Sequence, residues 1–377
     1  MERESSFPGT AGDGRPVSLV NWPGDSPSWL ITGYEQAFEM LRDARFSRSS
    51  QVAASGRQSL ARELSITEMD PPLHTRFRGL LSRAFSPRQI ERLRPAVERE
   101  ADTLLSRMLS RGSAADLSKA FCAPLAFAAQ CEVLGVPEAR RPQLQARWFR
   151  RISRAEGGLW GLRPADEELR DYVVEILADR AALSPGLFAD LITQREHGLI
   201  SGAELVGIAL SMLLDGPLLA ENQLTNAVLC LLTHPDEFSV VREDPAGLDH
   251  AIEELLRYSP ASTTSLPRAA TADVVLDTAP IQVGEVVLAA LPLVNRDPSV
   301  ISAPERLDLT RPDARHLTFG HGVHYCLGAH LTRMLMRVTL TAVLRRLPQL
   351  SLAVSEQDLQ WHVTAHRRTV HELPVSW

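Results

Sequence analysis

Apolar residues recurring at helical spacing over most of residues 74–260 constrain this chain more than any other feature. Ile90, Leu93 and Val97, then Leu104, Leu105 and Met108, fall on one helical face. Pro124, Pro137, Pro164 and Pro185 separate the helical segments, since proline removes a backbone donor. Ahead of this block, Trp29–Thr32 predicts a short strand and Tyr34–Asp43 a helix, followed by a polar surface loop over 44–68. Behind it, Val274–Leu276, Ile281–Val283 and Val286–Leu288 are β-type runs between turn residues. A proline-rich irregular stretch (292–316) leads into a glycine-rich segment, then a helix over Leu327–Arg346 and short strands to the end. The pattern predicts a mainly α chain with a small β region. It predicts a loose lead-in over 1–28 and one domain over 29–377, with neither an internal repeat nor a low-complexity linker.

The chain has 377 residues, 44% of them hydrophobic, enough to bury a large core. Its net charge of −6 provides no global basic field to attract nucleic acid or anionic lipid. The N-terminus is polar and charged, and the longest apolar run, Leu205–Leu214, stops at Asp215-Gly216-Pro217, short of a bilayer's thickness. A soluble cytoplasmic protein without membrane or nucleic-acid partners is expected. Four cysteines, Cys122, Cys131, Cys230 and Cys326, show neither zinc nor disulfide-framework spacing. Three sit in apolar stretches and fit as small buried hydrophobes. The fourth, Cys326, sits among glycines and a histidine.

Phe319-Gly-His-Gly-Val-His-Tyr-Cys326-Leu-Gly328 is the most specific motif. Its glycines permit a tight loop, and backbone N–H groups at the start of the following helix would stabilise a thiolate. Taken by itself, such a loop also suits an ordinary buried cysteine. The whole string, however, resembles the haem-binding signature of cytochromes P450, with Phe319, Gly322, His324, Cys326 and Gly328 at its fixed positions. The resemblance implies the cytochrome P450 fold, with haem b (iron protoporphyrin IX) between the long central helix and the cysteine-ligand loop. It implies that Cys326 is the axial ligand, whose electron donation favours O–O cleavage. Ferredoxin and ferredoxin reductase are the implied electron donors.

Upstream, Glu254 and Arg257 stand three residues apart on a predicted helix, a spacing that commonly makes a solvated surface pair. Here they resemble the family's ExxR motif, which implies a structural role in holding the stretch before the cysteine loop. The family neutralises the haem propionates from three places, and all three have counterparts: His74 with Arg78, Arg268, and His324. Asn295-Arg-Asp-Pro298 and the strand–helix from Trp29 also resemble soluble bacterial members, so the likeness runs from about residue 29 to the end.

The central helix, expected over about Ala203–Thr233, departs from the family. Where members carry an acid and an alcohol that relay protons, this chain has Leu218 and Leu219, and neither side chain can donate a proton or hold a water. Oxygen insertion then needs the substrate's own hydroxyl or an ordered water. The alternatives are oxidative coupling or ring closure, peroxide-driven oxidation, or haem binding without catalysis. Asp215, one turn before Leu219, is the candidate catalytic group. Its carboxylate could relay protons, bind a cationic substrate group or order water. Alternatively, it could cap a second half-helix beginning at Pro217. The expected pocket is largely apolar, with Leu214, Leu218, Leu219 and Leu266 beside Ser211, Thr263 and Thr264. The 49–68 loop, Gly157–Trp160 and the turn near His366 are further expected walls, and for each residue plain core packing is the alternative. A secondary metabolite is the expected class of substrate.

Overall fold

The computed structural model describes residues 15–21, 27–54, 65–153, 164–364 and 366–377. The chain divides into two compact units, and it passes between them repeatedly. One comprises residues 1–55, 226–326 and 360–371; the other comprises 56–225, 327–359 and 372–377.

The first unit is built on a five-stranded sheet. Pro27–Ile31 pairs antiparallel with Val17–Asn21 and parallel with Val286–Ala289; Arg268–Ala270 and Phe46–Ser47 complete it. The helix Tyr34–Arg42 turns Ala37, Met40 and Leu41, at spacings of three and one, into a core with Ile31, Phe46 and Val287. Burying each large apolar side chain there contributes about 1.5–3 kcal/mol. This arrangement corrects three expectations. The lead-in contains the strand Val17–Asn21, made regular by its pairing partner. The expected loop at 44–68 contains the strand Phe46–Ser47 and the helix Arg48–Ala54. The strand expected over 281–283 instead covers Ala279–Ile281, because Glu285 N donates to Gln282 O across a turn whose Gly284 has φ +86°. In the proline-rich stretch, Leu291–Val294 forms a single short helix.

The second unit is almost entirely helical. Its long helix Pro87–Leu109, which buries Val97, Ala101, Leu104 and Leu105, packs against Ala329–Arg346, the helix that follows the cysteine loop, and against Ala123–Leu134. Pro374–Ser376 forms the middle strand of a small sheet between Ala114–Asp116 and Ser351–Leu352.

The central stretch forms two helices, Gly202–Asp215 and Pro217–Thr233. A Ser201–Glu204 capping box starts the first: Glu204 N donates to Ser201 Oγ at 3.1 Å and Ser201 N to Glu204 Oε2 at 2.6 Å. Although the uninterrupted apolar run ends at Leu214, residues 202–233 together are long and apolar enough to cross a membrane. Their most apolar window is 56% buried inside the protein. Ser211, Asn222, Gln223, Thr225 and Asn226 are buried polar residues along the stretch, so it serves as a core helix.

Candidate active site

The first unit contains Cys326, His324, Arg268 and the Glu254–Arg257 pair. Two glycines shape the cysteine loop. Gly320 and Gly322 have φ of +68° and +72°, in the left-handed region that side chains disfavour. A Cβ on Gly322 would also come within 2.7 Å of the Leu41 carbonyl oxygen. The loop closes through Cys326 N donating to Phe319 O at 2.9 Å and Tyr325 N to Gly322 O at 3.0 Å. Gly328 then precedes the helix Ala329–Arg346 and accepts from Thr332 N. Cys326 ends up partly exposed at the mouth of a helix. Cys122, Cys131 and Cys230 are buried, and desolvation pushes each of their thiols up to about 12. The fold thus singles out one cysteine for chemistry.

Behind the loop, Glu254 and Arg257 are fully buried. Arg257 Nε and Nη2 donate to the two oxygens of Glu254 at 2.7 and 2.8 Å. The remaining guanidinium donors reach Asn295 O, Pro304 O and Arg306 O. Glu254 also accepts from Asp308 N and from Arg311 Nε. Asn295 continues the network, accepting from Leu317 N at 2.8 Å and donating to Thr318 Oγ1 at 2.9 Å. One charged pair therefore ties the helix Leu248–Tyr258 to the irregular stretch running up to Phe319. Every charge in it has hydrogen bonds, the condition under which a buried pair is tolerated.

Arg268 begins a sheet strand and is 4% exposed, while His324 is partly buried inside the cysteine loop. In the second unit His74 is 2% exposed on the helix Leu73–Ser82, and Arg78 lies one turn on. Desolvation first, then the Arg78 charge, hold His74 below the usual imidazole range. Cations and imidazole donors removed from water suit carboxylates such as haem propionates, and a partly exposed thiol at a helix start suits an iron ligand. The donor set fits haem b.

The break in the central helix has a specific construction. Pro217 has no N–H to give Leu213 O, the carbonyl four residues back, and Trp148 Nε1 donates to that oxygen at 2.8 Å. Gln130 Nε2 donates to Met212 O at 2.7 Å. Gln130 packs so closely on Gly216 that a Cβ there would lie 3.1 Å from its Oε1. Asp215 is not a cap. Its Oδ2 accepts from Ser211 Oγ at 3.2 Å and Ser65 Oγ at 3.3 Å. Burial pushes its carboxyl up to about 6, against a smaller opposing effect of the two hydroxyls. Leu218 is buried and Leu219 is 41% exposed.

Of the expected pocket residues, Ser211 is buried with its hydroxyl committed to Asp215 and Ser65. Leu214 is partly buried. In the first unit Thr263 and Thr264 are buried, and Thr264 Oγ1 lies 2.9 Å from His366 Nδ1; Leu266 is 38% exposed. Gly157–Trp160 and much of the 49–68 segment lie outside the described residues. Sequence reasoning missed Ser65, Gln130 and Trp148. A lone glutamine in the apolar helix Ala123–Leu134 was the available signal for Gln130. Nothing local marks Ser65 or Trp148.

A family model described as Cytochrome P450 matches residues 247–358. The chain is 32% identical over 364 residues to the polyketide biosynthesis cytochrome P450 PksS of Bacillus subtilis, covering 93% of this chain and 89% of that one. It is 34% identical to mycinamicin IV hydroxylase/epoxidase of Micromonospora griseorubida, covering 96% and 92%. Among solved structures, cytochrome P450mel 107F1 with biaryl coupling reactivity superposes with a TM-score of 0.85 at 36% identity, covering 96% and 93%. The chain belongs to the cytochrome P450 family of haem b oxidoreductases.

Proposed function

We propose that this chain is a haem-thiolate oxidase of a small organic substrate in bacterial secondary metabolism, working in the cytoplasm with electrons from ferredoxin and ferredoxin reductase. The observation that carries the reading is the loop Phe319–Gly328, which presents Cys326, alone among four cysteines, partly exposed at a helix start. When bound, haem supplies the iron at which an oxidant is activated. Cys326 is its thiolate ligand, and Phe319, Gly322 and Gly328 shape the loop that presents it. His74, Arg78, Arg268 and His324 hold the propionates through charge-assisted or imidazole hydrogen bonds. Glu254 and Arg257 act indirectly, fixing the stretch that leads to the loop.

Ser211, Leu214, Leu218, Leu219, Thr263, Thr264 and Leu266 are the proposed substrate contacts, with Asp215 the group available for acid–base work on the central helix. Leu218 and Leu219 carry no exchangeable proton, so proton delivery falls to Asp215, to the substrate or to water. That favours a second reading, oxidation by coupling or ring closure, or with peroxide, in place of oxygen insertion from dioxygen. The biaryl coupling reactivity of P450mel 107F1 is consistent with it. Product analysis with ferredoxin and reductase against peroxide alone separates the readings. Products carrying oxygen from labelled dioxygen support insertion; coupled products without it support the second reading. Haem that turns over no member of a broad substrate panel under either regime contradicts both.

A further inference from the structure

Asp215 is an acid in an apolar helix, and neither packing nor capping accounts for it. Both hydrogen bonds to its carboxylate fall on one oxygen, Oδ2, from the neutral hydroxyls of Ser65 and Ser211. Those hydroxyls are themselves buried and fixed: Ser65 Oγ lies 2.8 Å from Thr67 Oγ1, and Ser211 Oγ lies 3.3 Å from Ser65 Oγ. The second oxygen, Oδ1, has no protein donor among the described residues, and Asp215 as a whole is only partly buried. No arginine, lysine or histidine pairs with the group among the described residues. Its midpoint of about 6 leaves it largely ionised at neutral pH. A carboxylate drawn out of water is ordinarily matched by a cation or by several strong donors. This one has two neutral donors on one oxygen and no protein donor on the other among the described residues, in a residue that is only partly buried. Leu214 and Leu219, both partly accessible, flank it on the helix.

We propose that Ser65, Ser211 and Asp215 form a recognition site for a protonated nitrogen, so that the substrate is a lipophilic amine whose apolar body lies on the leucines. The proposal rests on the reading of the chain as an oxidase of small organic molecules. The serines hold the carboxylate in one orientation and Oδ1 receives the cation. A cation bound there restores the charge balance that the protein leaves incomplete.

Calorimetric titration of the haem-loaded protein tests this with two probes of one shape, the benzyltrimethylammonium ion and its neutral carbon isostere neopentylbenzene. Neither can ligate iron, so the comparison isolates charge. The wild type should bind the ion at least about tenfold more tightly than the isostere. Asp215→Asn, which keeps the shape and hydrogen-bonding capacity, should erase the preference while leaving the isostere's affinity unchanged. Ser65→Ala, which keeps the charge but removes one of the two hydroxyls that orient it, should weaken the preference without erasing it. Equal binding of both probes by the wild type, or a preference that survives Asp215→Asn, overturns the proposal. The carbon monoxide spectrum of the same samples separates the two layers of the argument. A thiolate spectrum with no charge preference sinks the amine site alone, whereas loss of the thiolate spectrum in the wild type overturns both readings.

Discussion

Trp148 donates its indole N–H to the carbonyl of Leu213, the oxygen that Pro217 leaves without a helical partner. The break in the central helix is therefore stabilised from outside it, by a residue 65 positions away in sequence. Trp148→Phe keeps most of the ring's burial and removes the donor. The orphaned carbonyl should lower stability by about 1–3 kcal/mol, read from the urea midpoint. An unchanged midpoint would show that the break needs no such support.

Arg257→Ala leaves Glu254 buried beside Arg311 with its bidentate partner gone. The expected loss is about 3–5 kcal/mol, seen as a collapse in soluble yield and haem content. Arg257→Lys should recover little, since one ammonium cannot serve both oxygens of Glu254 together with the carbonyls of Asn295, Pro304 and Arg306.

Arg268→Ala and Arg78→Ala should each weaken haem retention by about 1.5–3 kcal/mol, or roughly ten- to a hundredfold in haem affinity. Transfer of haem to an excess of apomyoglobin measures it. Transfer rates equal to the wild type would remove these residues from the propionate site.

Asp215 sets a pH dependence of stability with a definite sign. Its carboxyl is raised in the fold from the ordinary 3.8 to about 6, so between those values the native state binds the proton more tightly than the unfolded chain. Stability should be greatest below about pH 4 with respect to this group. It should fall as pH rises towards 6, by up to about 3 kcal/mol. The difference between wild type and Asp215→Asn, measured by urea unfolding across that range, should show this slope; a flat difference would contradict the burial of the carboxylate.

Periodicity and short motifs reveal those parts of the site that local chemistry dictates. Gly320 and Gly322 are needed where φ is positive, and Glu254 and Arg257 stand one turn apart on a helix; spacing alone also suits a solvated pair and an ordinary loop, and the resemblance to the family's motifs is what singles them out. Pro217 likewise announces a break. What supports that break comes from Gln130 and Trp148 on two other helices, and Asp215's partner Ser65 comes from a segment with no periodicity. Such pairings are created by tertiary packing, to which local sequence is blind. The same blindness explains why Val17–Asn21 looked like a loose lead-in: five residues become a strand once Pro27–Ile31 lies alongside them.

Cys326 is the proposed thiolate ligand of the haem iron. The most direct measurement is the absorption spectrum of the reduced, carbon monoxide-bound protein, for wild type and Cys326→Ala. The wild type should show the band at about 450 nm that thiolate ligation gives the family its name, and the variant should lose it. A variant that keeps haem with the 450 nm band unchanged would contradict the assignment.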